Sequence, residues 1–354
     1  MMTVGVNGLI PYAIALILSM AIVWGVHPYL VKYALKRRVV DNPNARKLNR
    51  VPVPVLGGVG VFFGFAIALY SVAAVVGIEL SGAYIVVLLL MLGVGLIDDL
   101  CDLKPRTKFA VQIFAVLLLY FVCDLRIDNL HGFLDVYGIP MLVSLPLTLV
   151  ACVGLINALN LIDGIDGLSS GFGIVASVSL AIWTCVQSNC ANLLMACALI
   201  GALIPFFVYN VFGRRNKMFL GDAGSHLLGA IFCIMALNVI DSSSSDPVVE
   251  ATIIPFAFAV LSHPIMDTLR VMTMRILKGS SPFKADKTHL HHVLVGRGLT
   301  HLAATLVIIL LYLLVVLSWL ICYRCGMSAT GQMLVVLIVA VISIVLPYFF
   351  LVKK

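Results

Sequence analysis

Charge is what this sequence has least of. Of its 354 residues only 11% are Asp, Glu, Lys or Arg, while 62% are hydrophobic; a soluble domain carries about a quarter charged residues. That shortage excludes a water-soluble globule, because a folded chain of this size still exposes about a quarter of the surface of its unfolded state and needs polar groups to cover it. A bilayer is the remaining solvent. Glutamate is scarcer still, with Glu79 and Glu250 the only two. No G-x-x-x-x-G-K-[ST] run occurs, which excludes a P-loop nucleotide site. There is no internal repeat, no polar linker and no low-complexity tract beyond Ser242–Ser245, so neither a repeat array nor a second soluble domain is expected.

What is present is a string of apolar runs separated by short polar stretches. A span needs about 20 apolar residues, fewer when it is buried among other helices. Eleven candidates satisfy this: Leu9–Val31, Val55–Gly77, Ala83–Ile97, Phe109–Cys123, Met141–Ile156, Gly171–Val186, Ala191–Val211, His226–Ile240, Ala251–Leu269, Leu302–Cys322 and Met333–Val352. The expected fold is therefore all-α and polytopic, a single transmembrane domain over residues 1–354. The His131–Pro140 stretch, with Gly132 and Gly138, reads as a small interfacial turn. The first run is too long for a signal peptide and lacks a basic n-region, so it is expected to remain as a helix.

Lys and Arg give the orientation. With the N-terminus outside, alternate loops on the inner side collect 21 of the 23 Lys and Arg residues, leaving Arg126 and Arg324 outside. The positive-inside rule then places both the inner loops and the C-terminus in the cytoplasm. The formal net charge of +7 is thereby a topology signal and gives no argument for nucleic acid. The nine cysteines are an odd count, and most lie in apolar runs as small buried residues. Cys322 and Cys325 form a C-x-x-C with no second pair nearby, and Cys185 and Cys190 flank an outer turn where pairing stays open.

The inner stretches, at about 32–54, 98–108, 157–169, 212–225 and 270–300, together with Asp267 just before the last of them, account for nine acidic residues, every one an Asp: Asp41, Asp98, Asp99, Asp102, Asp163, Asp166, Asp222, Asp267 and Asp286. Charges near membrane helix ends are costly and usually functional. Short carboxylates on several loops suit a hard, oxygen-seeking cation such as Mg²⁺. Arg46 and Lys47, followed by Asn49 and then Gly57 and Gly58, read either as topogenic charge or as a phosphate contact beside a backbone that a ligand can approach closely. Gly57, Gly60 and Gly64 read equally as helix-packing glycines. The pair Asp98 and Asp99, with Lys104, Arg106 and Lys108 beyond it, reads as a metal or phosphate station or as an interfacial salt-bridge cluster.

The third stretch, N-A-L-N-L-I-D-G-I-D-G over residues 157–167, holds Asn160, Asp163, Gly164 and Asp166 without one basic residue. If helical, Asn160, Asp163 and Gly167 share a face, an expensive arrangement in an apolar stretch unless it ligates something. In the fourth, Phe219 precedes G-D-A-G at residues 221–224, whose glycines let backbone N–H groups face phosphate oxygens while Asp222 binds the metal they share. The fifth carries His289, His291 and His292 among Lys284, Lys287 and Arg297. Basic neighbours favour contacts to a diphosphate or sugar over a zinc site. His27 and His263, each before a Pro, read as structural, and His301 as an interface residue.

Together, the Asp98–Asp99 pair, the 157–167 run, F-L-G-D-A-G-S at 219–225 and D-K-T-H-L-H-H at 286–292 resemble the signature loops of the polyprenyl-phosphate N-acetylhexosamine-1-phosphate transferases, glycosyltransferase family 4. The resemblance covers nearly the whole chain in order. The spaced H-L-H-H is similar to the bacterial UDP-GlcNAc branch; the phospho-MurNAc-pentapeptide branch instead has consecutive His followed by an acid. Asn49 departs from the pattern, standing where many relatives have His.

The resemblance implies transfer of N-acetylhexosamine-1-phosphate, in this branch GlcNAc-1-phosphate, from a UDP-sugar to undecaprenyl phosphate with release of UMP, to begin an envelope glycan. It implies Mg²⁺, or Mn²⁺ in its place, held by Asp222 and Asn160, with Lys108 on phosphate and Asp98 or Asp99 orienting or deprotonating the lipid phosphate. Gly164 and Asp166 would meet the uracil with Phe219 stacked on it. His289, His291 and His292 would steady diphosphate and sugar, Arg46 and Lys47 would contact substrate, and Asp163 would be a catalytic-site residue of unseparated role. The implied setting is the bacterial cytoplasmic membrane with the site on its inner face, and the family leaves room for a homodimer. Two other classes fit less well. A secondary transporter would carry its polar groups near the midplane, and a CDP-alcohol phosphatidyltransferase would carry a long Asp motif that is absent here.

Overall fold

In a computed structural model the described residues are 6–41, 51–187, 189–282 and 288–352. Among them are eleven helices long and apolar enough to cross a membrane, and almost no sheet. Lipid offers backbone groups no hydrogen-bond partner, so each crossing segment must close its own ladder as a helix. The helices are α1 (Val6–Arg37), α2 (Gly57–Val76), α3 (Gly82–Cys101), α4 (Pro105–Val122), α5 (Met141–Ile162), α6 (Leu168–Gln187), α7 (Cys190–Phe212), α8 (Gly221–Ile240), the short α9 (Pro247–Glu250), α10 (Ile253–Leu277), the short α11 (Leu290–Gly296), α12 (His301–Arg324) and α13 (Ala329–Val352). Pro146 lies inside α5 and Pro264 inside α10, as membrane helices tolerate. Several helices begin on polar caps: Ser81 accepts the Ala83 N–H, Asn189 that of Asn192, Asp246 that of Val248 and Thr300 that of Ala303.

The helices run past the apolar windows that announce them. Asp98 and Asp99 lie in the last turn of α3, Lys108 in the first turn of α4, and Asn157 and Asn160 in the last turns of α5. These residues, just beyond the span bounds expected at Ile97, Phe109 and Ile156, sit within the helix ends. A second correction concerns residues 131–140. The expected turn is part of a β-hairpin, with β3 (Asn129–Phe133) antiparallel to β4 (Val136–Gly138). His131 anchors it: buried, with a backbone φ of +50°, it places Nδ1 2.6 Å from Glu250 Oε1 and Nε2 2.8 Å from the Ile240 carbonyl.

The chain groups into two compact units. The first comprises residues 1–125 and 169–235. Here α1 packs along α2 and α7, around buried Phe65, Leu69 and Phe206, and Phe172 meets Phe232 edge-on at 6.0 Å. A two-residue ladder, β1 (Val40–Asp41) against β2 (Val53–Pro54), closes one end of this unit. The second unit comprises residues 126–168 and 236–354. Its α10 packs on α5, α12 and α13, with Phe256 against Trp319 at 4.7 Å.

Candidate active site

The first unit builds an acidic station from three helix ends. Asp98 is buried, accepts the Leu103 N–H at 2.8 Å and pairs with the Lys108 ammonium. The turn that permits this closes at Asp102, in the left-handed region with φ +47°, whose N–H bonds to the Asp98 carbonyl. Lys108 Nζ also lies 3.5 Å from Asp222 Oδ2, so one ammonium is shared by two carboxylates. Asp99 points elsewhere. Its Oδ1 accepts the Asp222 N–H at 2.9 Å and its Oδ2 the Ala223 N–H at 3.1 Å. It thereby satisfies two of the donors that the start of α8 would otherwise leave open, and its charge meets the positive end of that helix.

This revises the reading of residues 221–224. The expectation was that N–H groups freed by Gly221 and Gly224 face phosphate oxygens. Those of Asp222 and Ala223 instead face the Asp99 carboxylate, an anion supplied by the protein itself. The glycines serve close approach. At Gly221, φ is +76° and a Cβ would stand 2.7 Å from Asp99 Oδ2 and from the Val55 carbonyl. A Cβ on Gly58 would run into the Gly224 backbone, and one on Gly95 into that of Asp222 and Ala223. Gly57 and Gly58 donate their N–H groups to the Phe219 and Leu220 carbonyls at 3.0 and 2.9 Å, while the Phe219 N–H reaches the Pro54 carbonyl at 2.8 Å. Of the two roles open to these glycines, packing is the one observed. Phe219 itself is half-buried, with Lys217 Nζ 5.7 Å from its ring centroid.

His226, absent from the sequence-based candidates, joins this unit through Nδ1, 2.7 Å from the Asp222 carbonyl. His27 is a packing residue as expected, stacked on Tyr209 at 4.1 Å and bonded to the Asn216 carbonyl at 2.9 Å.

The second unit gathers the asparagine–aspartate turn and the histidines. α5 ends at Ile162, with Asp163 as its C-cap and the Asp163 N–H bonded to the Asn160 carbonyl at 3.3 Å. The chain then turns through Gly164 and through Gly167, whose φ is +81°. Asn160, Asp163 and Gly167 therefore do not share a helical face, contrary to the conditional expectation; the helix stops before it can carry all three. Asn157 donates back to the Val153 carbonyl at 2.7 Å. Asp166 Oδ2 meets His301 Nδ1 at 2.7 Å, and Thr305 Oγ1 donates to the Asp166 carbonyl at 3.1 Å. The short carboxylate contact makes Nδ1 the proton-bearing nitrogen of His301, so the Asp166 N–H, 3.4 Å from the same atom, is not a second bond.

Gly164 lies directly against His291, whose Nε2 a Cβ there would strike. The third and fifth stretches therefore meet. His289 and His291 are buried with rings near parallel at 5.8 Å, and His291 and His292 are 4.2 Å apart. Burial, reinforced by the neighbouring His292, holds the His291 imidazole well below its ordinary range. Beneath them lies Asp267 on α10, 1% exposed, which accepts from His289 Nδ1 and Arg270 Nη2, each at 2.8 Å. Asp267 and His301 are the residues that sequence reasoning left without a site role. A carboxylate in an apolar span with an Arg three residues on was the available signal for the first; nothing in the chain pairs His301 with Asp166.

Arg46, Lys47, Asn49, Lys284, Asp286 and Lys287 lie outside the described residues. Among the described residues no three His, Cys, Asp or Glu side chains are grouped to hold a metal ion by themselves. The donor set does suit a hard cation in part. Asp98 and Asp222 already share one positive charge, that of Lys108, and Mg²⁺ commonly takes only one or two protein carboxylates, with phosphate and water completing its octahedron.

Eleven membrane-length helices, with a carboxylate–lysine station in one unit and a buried histidine cluster in the other, define a polytopic membrane protein. Residues 81–240 match the glycosyl transferase family 4 signature. The chain is 33% identical to the undecaprenyl-phosphate alpha-N-acetylglucosaminyl 1-phosphate transferase of Salmonella typhi over 79% of its own length and 75% of the relative's. It is 32% identical to the protein of the same description from Yersinia pestis over the same shares. To the probable undecaprenyl-phosphate N-acetylglucosaminyl 1-phosphate transferase of Bacillus subtilis it is 29% identical, over 86% of this chain and 82% of that one. The chain belongs to glycosyl transferase family 4.

Proposed function

We propose that this protein transfers N-acetylglucosamine-1-phosphate from UDP-GlcNAc to undecaprenyl phosphate at the cytoplasmic face of a bacterial inner membrane. In this reading an oxygen of the lipid phosphate forms a bond to the β-phosphorus, the bond from that phosphorus to the bridging oxygen breaks, and UMP leaves with the α-phosphate. The observation that carries it is the ammonium of Lys108 held between Asp98 and Asp222, a charged station suited to phosphate oxygens and the cation that accompanies them. Such a transfer needs placement and charge neutralisation more than covalent help.

Mg²⁺, when bound, supplies charge neutralisation across the diphosphate; Asp222 and Asn160 keep the ligand roles that the family resemblance implies, each to be tested by its own substitution. Lys108 gives phosphate oxygens a positive partner. Asp98 orients that lysine and the incoming lipid phosphate, which is already largely ionised at neutral pH. Asp99, with both oxygens committed to backbone N–H groups, holds the Asp222 backbone in place. Gly164 and Asp166 receive the uracil, the role the family resemblance implies for them. The 21 Lys and Arg residues of alternate stretches support a cytoplasmic site.

The test is a parallel incubation of full-length protein, undecaprenyl phosphate and Mg²⁺ with labelled UDP-GlcNAc or UDP-MurNAc-pentapeptide, followed by thin-layer separation of the lipids. A GlcNAc-diphospholipid with stoichiometric UMP is expected. A pentapeptide-bearing lipid would move the protein to the other branch, and no lipid product from any UDP-sugar would overturn the reading.

A further inference from the structure

Asp267 is a carboxylate with 1% exposure in the middle of the long apolar helix α10. A charge so placed is costly unless its partners are well arranged, and its partners converge on the start of the histidine motif. Oδ2 accepts from His289 Nδ1 at 2.8 Å, and Oδ1 accepts from the Leu290 N–H at 3.2 Å and from Arg270 Nη2 at 2.8 Å. The same Arg270 nitrogen donates to the Thr288 carbonyl at 2.6 Å, and its guanidinium lies 4.5 Å from the Tyr348 ring centroid. Residues 288–290 are thus pinned to α10 at three consecutive positions.

We propose that Asp267 is a positioning residue that fixes His289 as its Nδ1–H tautomer, leaving Nε2 as a hydrogen-bond acceptor for the sugar half of the donor. The inference rests on the transferase reading above.

A carboxylate can only accept, so the proton in the 2.8 Å contact belongs to Nδ1. Arg270 already balances the charge of Asp267. The imidazoles of His263 and His291 also lie close to this pair. In the proposed tautomer Nε2 carries a lone pair. That atom is buried and has no hydrogen-bond partner among the described residues. A buried acceptor left unpaired is costly, and such exceptions call for an explanation. The His291 ring packs parallel to that of His289, and its Nε2 abuts Gly164, so the orphan atom belongs to the cluster that meets the 164–167 turn. A group that donates fits it: a sugar hydroxyl or the acetamido N–H. A phosphate, which brings only acceptors, does not.

The first measurement uses wild-type protein. Full-length chain labelled with ¹⁵N-histidine in nanodiscs is read by ring-nitrogen shifts, His289 being assigned by its loss in His289→Gln. A protonated Nδ1 with a bare Nε2 is expected. A bare Nδ1, or protons on both nitrogens, overturns the proposal. The second measurement uses Asp267→Asn. UMP and UDP, which lack the sugar, should bind within about threefold of wild type, while turnover of UDP-GlcNAc falls about 100-fold or more, as when a histidine loses the carboxylate that orients it. Unchanged turnover overturns the proposal, and so does a parallel loss of UDP binding, which would put His289 on phosphate. Should Asp267→Asn fail to fold, the tautomer in the wild-type protein decides. A wild type that turns over no UDP-sugar would refute the transferase reading instead, a result distinct from a wrong tautomer.

Discussion

Neighbouring aspartates at the end of α3 should fail in opposite ways. Asp99→Asn keeps one acceptor oxygen but turns an NH₂ toward a backbone N–H of α8. It thus loses one charge-assisted hydrogen bond outright, worth about 1.5–3 kcal/mol, and weakens the other. It also removes a negative charge from a helix N-terminus, a further ~0.3–1 kcal/mol. The sum is about 2–4 kcal/mol. At roughly 2 °C per kcal/mol for a chain of this size, the unfolding midpoint should fall by about 4–8 °C. Asp222→Asn should do the reverse. Its side chain is about a third exposed and its ion pair with Lys108 is long, at 3.5 Å, so the midpoint should stay within about 2 °C while turnover falls at least ~10³-fold. A thiol-reactive dye reads unfolding in detergent through the buried Cys152, Cys233 and Cys322, and lipid-product formation reads turnover. An Asp99→Asn protein with the wild-type midpoint and no activity would refute the division, because Asp99 would then act on substrate and not on the α8 backbone.

Four more expectations are open to measurement. The imidazole of an unfolded chain protonates near pH 6.5, that of buried His291 only well below it; between the two the unfolded state binds the extra proton, so stability is full above about pH 6.5 and declines as pH falls. His291→Gln should flatten that decline, and equal slopes for variant and wild type between pH 8 and 5.5 would count against it. Gly164→Ala drives a methyl into His291, and displacement of about 1 Å should cut turnover of UDP-GlcNAc up to ~10²-fold; wild-type kinetics would mean the turn yields freely. Asn160→Ala should lower turnover and raise the Mg²⁺ concentration for half-maximal rate, and an unchanged Mg²⁺ dependence would remove Asn160 from the ligand set. In a cysteine-free background Ser243→Cys should react with an impermeant reagent from outside and Ser281→Cys only from inside; labelling of both from one side would overturn the topology.

The spans were legible in the sequence because hydropathy and helix formation have one cause in lipid: every unsatisfied backbone group is expensive. Their ends were not, because a hydropathy window stops at the first charge while the hydrogen-bond ladder does not. Asp98, Asp99, Lys108 and Asn160 fell on that mismatch, just outside the apolar windows and within the helices. The motifs were enough to name the family. They could not divide labour between Asp98 and Asp99, which leave the helix about 100° apart and so face different partners. Asp267 and His301 needed tertiary structure. Asp267 is 22 residues from His289 and His301 is 135 from Asp166, and no local pattern joins either pair.

The glycines of α2 and α3 have a mechanical consequence. Gly58 and Gly95 bring those helices against residues 222–224 with backbone touching backbone. Side chains in a contact can change rotamer and absorb a strain; main chain cannot, and packed interiors are nearly incompressible. The gap between these helices is therefore a fixed gauge, insensitive to the thickness of the surrounding bilayer, which tilts and bends helices at a cost of only fractions of a kcal/mol per Å. A membrane whose lipids change with growth temperature would carry the Asp222 carboxylate along as part of a rigid block, and the spacing between Asp99 and the start of α8 would stay as it is.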